Sequence, residues 1–337
     1  MTAINTRLGP VTGITQDGCE VFLGIPYAEP PIGENRWMPP KAAAPWPDGL
    51  EATEHPNRSY QPPYPEALAG RDIPGDFSED CLYLNIYSPK TDDKRRPVMF
   101  WIHGGAYIQG SANEYDGAQL ATENDVVVVC INYRLGVFGF VDFSAFGQEF
   151  MGSASLGFQD QIAALTWVKE NIEDYGGDPN SVTIFGESAG GGSVLALLAA
   201  PSAKGLFHKG IGFSPGEVVG PPLDSVGPLS QAMEADGPEL LSKLRGLPAE
   251  DLFALQLEGR VNTGAAVDGT IITRQPSVAI MNNGRDGVPL IVGCNKDEGS
   301  FMADVFPPET RELMLHVFGI CITYGSKKYD SEKDYQS

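Results

Sequence analysis

The sequence predicts an α/β fold with a mostly parallel central sheet and helices on both faces, and three observations carry that expectation. Short apolar, often β-branched runs alternate with amphipathic segments along the chain. No repeat with a period of roughly 20–50 residues interrupts the alternation, which excludes solenoids and propellers. The 337 residues, 42% of them apolar, are enough to bury a large core.

Val98–Ile102, Val126–Ile131, Val182–Phe185, Gly210–Phe213 and Pro289–Val292 read as strands buried on both faces, because they are apolar without alternation. Gln159–Asp174 sets Ile162, Leu165, Val168 and Ile172 on one helical face, and Ala189–Ala200 is rich in good helix formers. Residues 55–76 carry Pro56, Pro62, Pro63, Pro65 and Pro74, which bar a central strand, so the stretch reads as a surface loop, a plain connection first and the lining of a pocket mouth second. The expected organisation is one domain over residues 1–320 and a disordered tail over 321–337, polar and charged from Thr323 onward.

Acidic residues outnumber basic ones 44 to 23, so the net charge of −21 disfavours nucleic acid and anionic membranes as partners. The N-terminal MTAINTRLGPVTG has no apolar leader, and no run is long enough to span a bilayer. Cys19, Cys81, Cys130, Cys294 and Cys321 make an odd set without C-x-x-C spacing, and Cys130 and Cys294 sit in apolar runs that predict buried thiols. A cytoplasmic protein is expected on these grounds.

Three segments carry chemistry. Gly186-Glu187-Ser188-Ala189-Gly190 lies between the strand ending at Phe185 and the helix starting at Ala189. A tight strand-to-helix turn needs small flanking residues, and it lifts Ser188 Oγ to a helix N-terminus that favours negative charge. His103-Gly104-Gly105-Ala106 follows Ile102, and its backbone amides, with that of Ala189, can donate to a developing oxyanion. Asn295-Lys296-Asp297-Glu298-Gly299 follows the last strand, and either Asp297 or Glu298 can supply the carboxylate that orients a catalytic imidazole. All three stand at the C-terminal ends of the expected parallel strands, where open α/β sheets place their ligand crevices.

With these motifs the chain resembles the type B carboxylesterases, the family of cholinesterases and bacterial p-nitrobenzyl esterases. Gly24-Ile25-Pro26-Tyr27-Ala28, Glu79-Asp80-Cys81-Leu82-Tyr83-Leu84-Asn85, Tyr175-Gly176-Gly177-Asp178-Pro179 and Phe185 to Gly190 occur in family order, from about residue 5 to about residue 319. The resemblance implies an α/β-hydrolase fold, Ser188 as nucleophile, Glu298 rather than Asp297 as acid, and Gly105, Ala106 and Ala189 as oxyanion hole. It also implies a fold-bracing pair between Arg36 and Glu79 and a small-molecule ester as substrate. No metal or organic cofactor is expected, because the sequence has no H-x-x-x-H, C-x-x-C or phosphate-binding loop. Oligomeric state stays open.

Two departures stand out. No cysteine lies within residues 55–65 to pair with Cys81, so that thiol is expected to be free. The family's histidine comes from a glycine-rich loop far beyond the acid, and no such loop follows Glu298. His55, His103 and His208 precede the acid; His316 alone follows it, in the helix-like run Pro308–Phe318, where a lone histidine is ordinarily structural. The sequence therefore reads as an esterase lacking the last strands and helices of its sheet, impaired for want of a base. The competing expectation is an inactive binding or adhesion module on the same fold.

Overall fold

The computed structural model describes residues 1–64, 72–216, 218, 220–283, 287–296 and 298. Strands β1 (Thr2–Thr6), β2 (Gly9–Gln16) and β3 (Cys19–Pro26) pair antiparallel, with β4 (Leu50–Glu51) parallel beside β2. Antiparallel β5 (Tyr83–Ser88) joins β3 to the parallel strands β6 (Arg96–Ile102), β7 (Val127–Ile131), β8 (Gly177–Glu187), β9 (Lys209–Phe213) and β10 (Leu290–Gly293). The spatial order is β1-β2-β3-β5-β7-β6-β8-β9-β10, ten strands with β4 among the described residues.

Helices α1 (Ala118–Asn124), α2 (Gly136–Gly139), α3 (Leu156–Asn171) and α4 (Ala189–Ala199) belong to the sheet region, and α5 (Val226–Met233), α6 (Gly237–Gly246), α7 (Ala249–Leu257) and α8 (Pro276–Asn283) come after β9. Period-two geometry sends alternate residues of one strand to opposite faces. In β7, Val127, Val129 and Ile131 enter the cluster that also holds Leu165 and Val168 of α3 and Val194 of α4. Val128 and Cys130 of the same strand enter another, beneath Ala118 and Ala121 of α1. Helices thus cover both faces. A separate cluster of Trp37, Phe138, Phe143, Leu240, Leu244 and Leu252 among others joins α2 to α5, α6 and α7 beyond the sheet.

All five strands read from the sequence are present, and the predicted helical run buries Leu165 and Val168 in α3 and Ile172 in the 3-10 turn that follows it, with Ile162 half-buried. The expected parallel strands β6 to β10 form the centre and one side of the sheet, and β1, β2, β3 and β5 extend it on the other side by antiparallel pairing. Two expectations are corrected. The last strand is not buried on both faces: as the edge strand of the described sheet, β10 leaves Ile291 65% and Val292 47% exposed, and Cys294 just past it is exposed as well. Residues 55–64 and 72–76 are more than a surface connection, since Pro56, Ser59 and Gln61 are buried. Pro65, Asp297, Cys321, the run Pro308–Phe318 with His316, and the 321–337 tail lie outside the described residues.

Two buried ion pairs brace the frame. Arg36 grips Glu79 through Nε and Nη2, with Nε to Oε2 at 2.8 Å, and its Nη1 donates to the carbonyls of Leu244 and Leu247. The segments carrying Arg36 and Glu79 are thereby tied to the end of α6. Arg134 pairs with Asp160 of α3 at 2.7 and 2.8 Å, and both are essentially inaccessible. Breaking such a pair leaves one charge uncompensated, at a cost of about 3–5 kcal/mol. Cys81 is a free buried thiol, as expected, and Ser59 Oγ lies 3.1 Å from its sulfur. No helix among the described residues is long and apolar enough to cross a membrane.

Candidate active site

Ser188 sits between β8 and α4 with φ 55° and ψ −118°, a conformation that side chains rarely adopt. The surroundings hold it there: its N–H donates to the Phe213 carbonyl at 2.9 Å, and its carbonyl accepts from Gly192 and Gly216. Small neighbours are obligatory. A Cβ at Gly190 would come within 2.1 Å of the Ile102 carbonyl oxygen, and one at Gly186 within 2.5 Å of Gly190 itself. The G-x-S-x-G pattern is therefore the packing condition for crossing the end of β6 at this distance.

The loop after β6 lies against the serine. A Cβ at Gly104 would stand 3.2 Å from Ser188 Cβ and 2.8 Å from the Glu187 carbonyl oxygen, so only glycine admits this approach. Gly105, Ala106 and Tyr107 then take positive φ in succession (104°, 55°, 62°). Among the described residues the amides of Gly105 and Ala106 donate to no protein acceptor, and Ala189, first residue of α4, has no intrahelical acceptor for its own. Free N–H groups beside a serine at a helix N-terminus favour an anion.

Glu298 reaches the same sheet edge from β10. Its Oε1 accepts from the Asn295 backbone at 2.9 Å, from Asn295 Nδ2 at 3.1 Å and from Ser214 Oγ. Ser214 caps β9, and its N–H donates to the Gly293 carbonyl at 2.6 Å. Glu187, beside the serine, has its carboxyl held above the ordinary carboxylate range, first by desolvation and second by the Glu298 charge. Neither Ser214 nor Glu187 was singled out by the motifs; a check of the residue just past the end of each parallel strand would have found Ser214.

Three histidines are accounted for. His103 is buried, stacks on Tyr133 at 4.3 Å, and donates from Nδ1 to the Gly104 carbonyl at 2.8 Å; burial pushes its pKa down to about 4. His208 accepts from the Val182 amide at 3.1 Å, which makes it structural. His55 lies in the proline-rich stretch, lowered by desolvation. Among the described residues no histidine hydrogen-bonds Ser188, and no group of three His, Cys, Asp or Glu side chains is placed to hold a metal ion.

The aromatic residues Trp101 and Tyr107, which flank the site's first loop in sequence, pack against other rings. Trp101 meets Tyr115 and Phe185 at 4.9 and 4.8 Å, and Tyr107 meets Phe140 and Phe158 at 5.0 and 5.5 Å.

Fold and site together define an α/β hydrolase with a serine elbow. The chain matches the carboxylesterase family over residues 1–330, and it belongs to that family. It is 40% identical over 329 residues to the para-nitrobenzyl esterase of Bacillus subtilis, spanning 93% of this chain and 67% of that protein. With carboxylesterase 1E of Mus musculus it shares 37% identity over 371 residues, 96% of this chain and 65% of that one. A solved thermophilic PNB esterase superposes with a TM-score of 0.84 at 39% identity, covering 94% of this chain and 68% of the other. The chain thus spans about two thirds of the length of these relatives. Relatives named as esterases lend no support to an inactive binding module.

Proposed function

We propose that the chain hydrolyses small-molecule carboxylic esters through an acyl-serine intermediate. The observation that carries the proposal is Ser188, held at positive φ at the N-terminus of α4 and packed against Gly104 of a loop whose next two amides are unengaged. In this reading Ser188 Oγ attacks the ester carbonyl, and the amides of Gly105, Ala106 and Ala189 stabilise the tetrahedral oxyanion. Collapse expels the alcohol, and water then releases the acid and frees the serine. Glu298, fixed by Ser214 and Asn295, is the carboxylate for the base that takes the Ser188 proton.

That base is not His103, whose Nδ1 proton is committed to Gly104 and whose Nε2 is enclosed by protein. His316 lies outside the described residues. Nucleophile, amides and binding without a base support about 10³–10⁴-fold acceleration over water, so slow turnover is the minimum expectation. Hydrolysis of p-nitrophenyl acetate and labelling by a fluorophosphonate test the reading. Both should depend on Ser188; p-nitrophenol release unchanged by Ser188→Ala, or labelling that survives it, would overturn it.

A further inference from the structure

We infer that Gln61 is a positioning residue for ester hydrolysis, clamping the loop that presents the Gly105 and Ala106 amides; its catalytic consequence rests on the esterase reading above.

Gln61 is buried, and its amide pairs twice with one backbone unit of that loop. Oε1 accepts from the Gly110 N–H at 2.9 Å while Nε2 donates to the Gly110 carbonyl at 3.0 Å and to the Ser59 carbonyl of its own segment at 3.2 Å. Such a side chain imitates one rung of an antiparallel ladder, and its donor and acceptor are not interchangeable. The grip is extended next door, where Gln109 Nε2 donates to the carbonyls of Pro62 and Pro63, each at 3.1 Å. Proline cannot donate to a neighbouring strand, so this stretch meets the loop through carbonyls and one glutamine amide.

Gly110 can transmit the restraint. Its φ is +105°, and a Cβ there would lie 2.3 Å from His103 Nδ1 and 2.5 Å from the Gly104 carbonyl oxygen. Gly110 therefore packs directly on the start of the loop, and Gln109 N–H closes the turn onto the Gly105 carbonyl at 2.9 Å. Three consecutive residues at positive φ need a surrounding structure that over-determines them, and the Gln61 rung is one face of that structure.

Gln61→Glu keeps size and acceptor but sets a carboxylate oxygen against two carbonyls; Gln61→Ala removes both bonds to Gly110 and the one to Ser59. Hydrogen exchange and p-nitrophenyl acetate kinetics, run in parallel on both variants, form the test. Exchange at the Gln109 and Gly110 amides should rise about tenfold or more in both, and kcat should fall about tenfold with KM within about twofold. A residue important only for stability would lower the unfolding temperature without dividing kcat from KM. Unchanged exchange overturns the clamp, and raised exchange with unchanged kcat overturns its catalytic role. Wild-type turnover independent of Ser188 would sink the esterase reading, and the catalytic role with it, while the exchange result would still decide the clamp.

Discussion

The two halves of the candidate site are built differently. Ser188 and the Gly104 to Tyr107 loop stand on β8 and β6, central strands whose residues Phe100, Ile102, Val182 and Ile184 are fully buried. Glu298 stands beyond β10, an edge strand of the described sheet with Ile291 and Val292 open to solvent, and is fixed mainly by Ser214 and Asn295. The first half is imposed by backbone packing, where an added Cβ has no room. The second is assembled from side-chain hydrogen bonds. Geometry enforced by close packing tolerates little substitution, whereas geometry held by exposed hydrogen bonds can be lost without unfolding the protein.

That contrast can be pressed in order of expected effect. Phe100→Ala, in β6, should cost about 3–5 kcal/mol in urea unfolding, because it leaves a cavity in the central layer. Gly190→Ala should cost about 3 kcal/mol and abolish fluorophosphonate labelling, since its methyl would meet the Ile102 carbonyl. A soluble, fully labelled Gly190→Ala protein would mean that the elbow is not constrained as described.

His103 makes the central half sensitive to acid. Its folded pKa lies near 4 against 6.5 for the free side chain, so the unfolded chain takes a proton that the folded one refuses. The folded state accordingly loses stability as pH falls from about 6.5 to about 4, by on the order of 3 kcal/mol. Comparing urea midpoints of the native protein and His103→Gln across that window should show a shallower acid loss in the variant.

On the edge side, Glu298→Gln should leave the unfolding midpoint nearly unchanged but lower the Glu187 carboxyl titration, because one of the two causes raising it is removed. Carbon-detected NMR titration of Glu187 reads this directly. The smallest effect is expected for Ile291→Lys, within about 0.5 kcal/mol, since the side chain is already largely in water. A loss comparable to Phe100→Ala would show that β10 is covered in solution.

Much of the site was legible in the sequence because its requirements are local. Gly186, Gly190 and Gly104 are needed wherever a serine turn crosses the end of a neighbouring strand, and the surrounding apolar runs locate those strands. Ser214, Gln61 and the antiparallel pairing of β5 with β3 and β7 were not legible. Their partners lie far along the chain, Ser214 against Glu298 and Gln61 against Gly110.

By itself the sequence determined the alternation of strands and helices, the serine elbow, the glycine loop and the excess of acidic charge, since each depends on residue size, period or composition within a short window. Only the tertiary structure decided that a proline-rich stretch closes onto that loop, that His103 is enclosed and committed to Gly104, and that the last described strand is open to solvent. Those outcomes depend on which distant groups share a neighbourhood, and hydrogen bonding and burial are properties of neighbourhoods rather than of single residues.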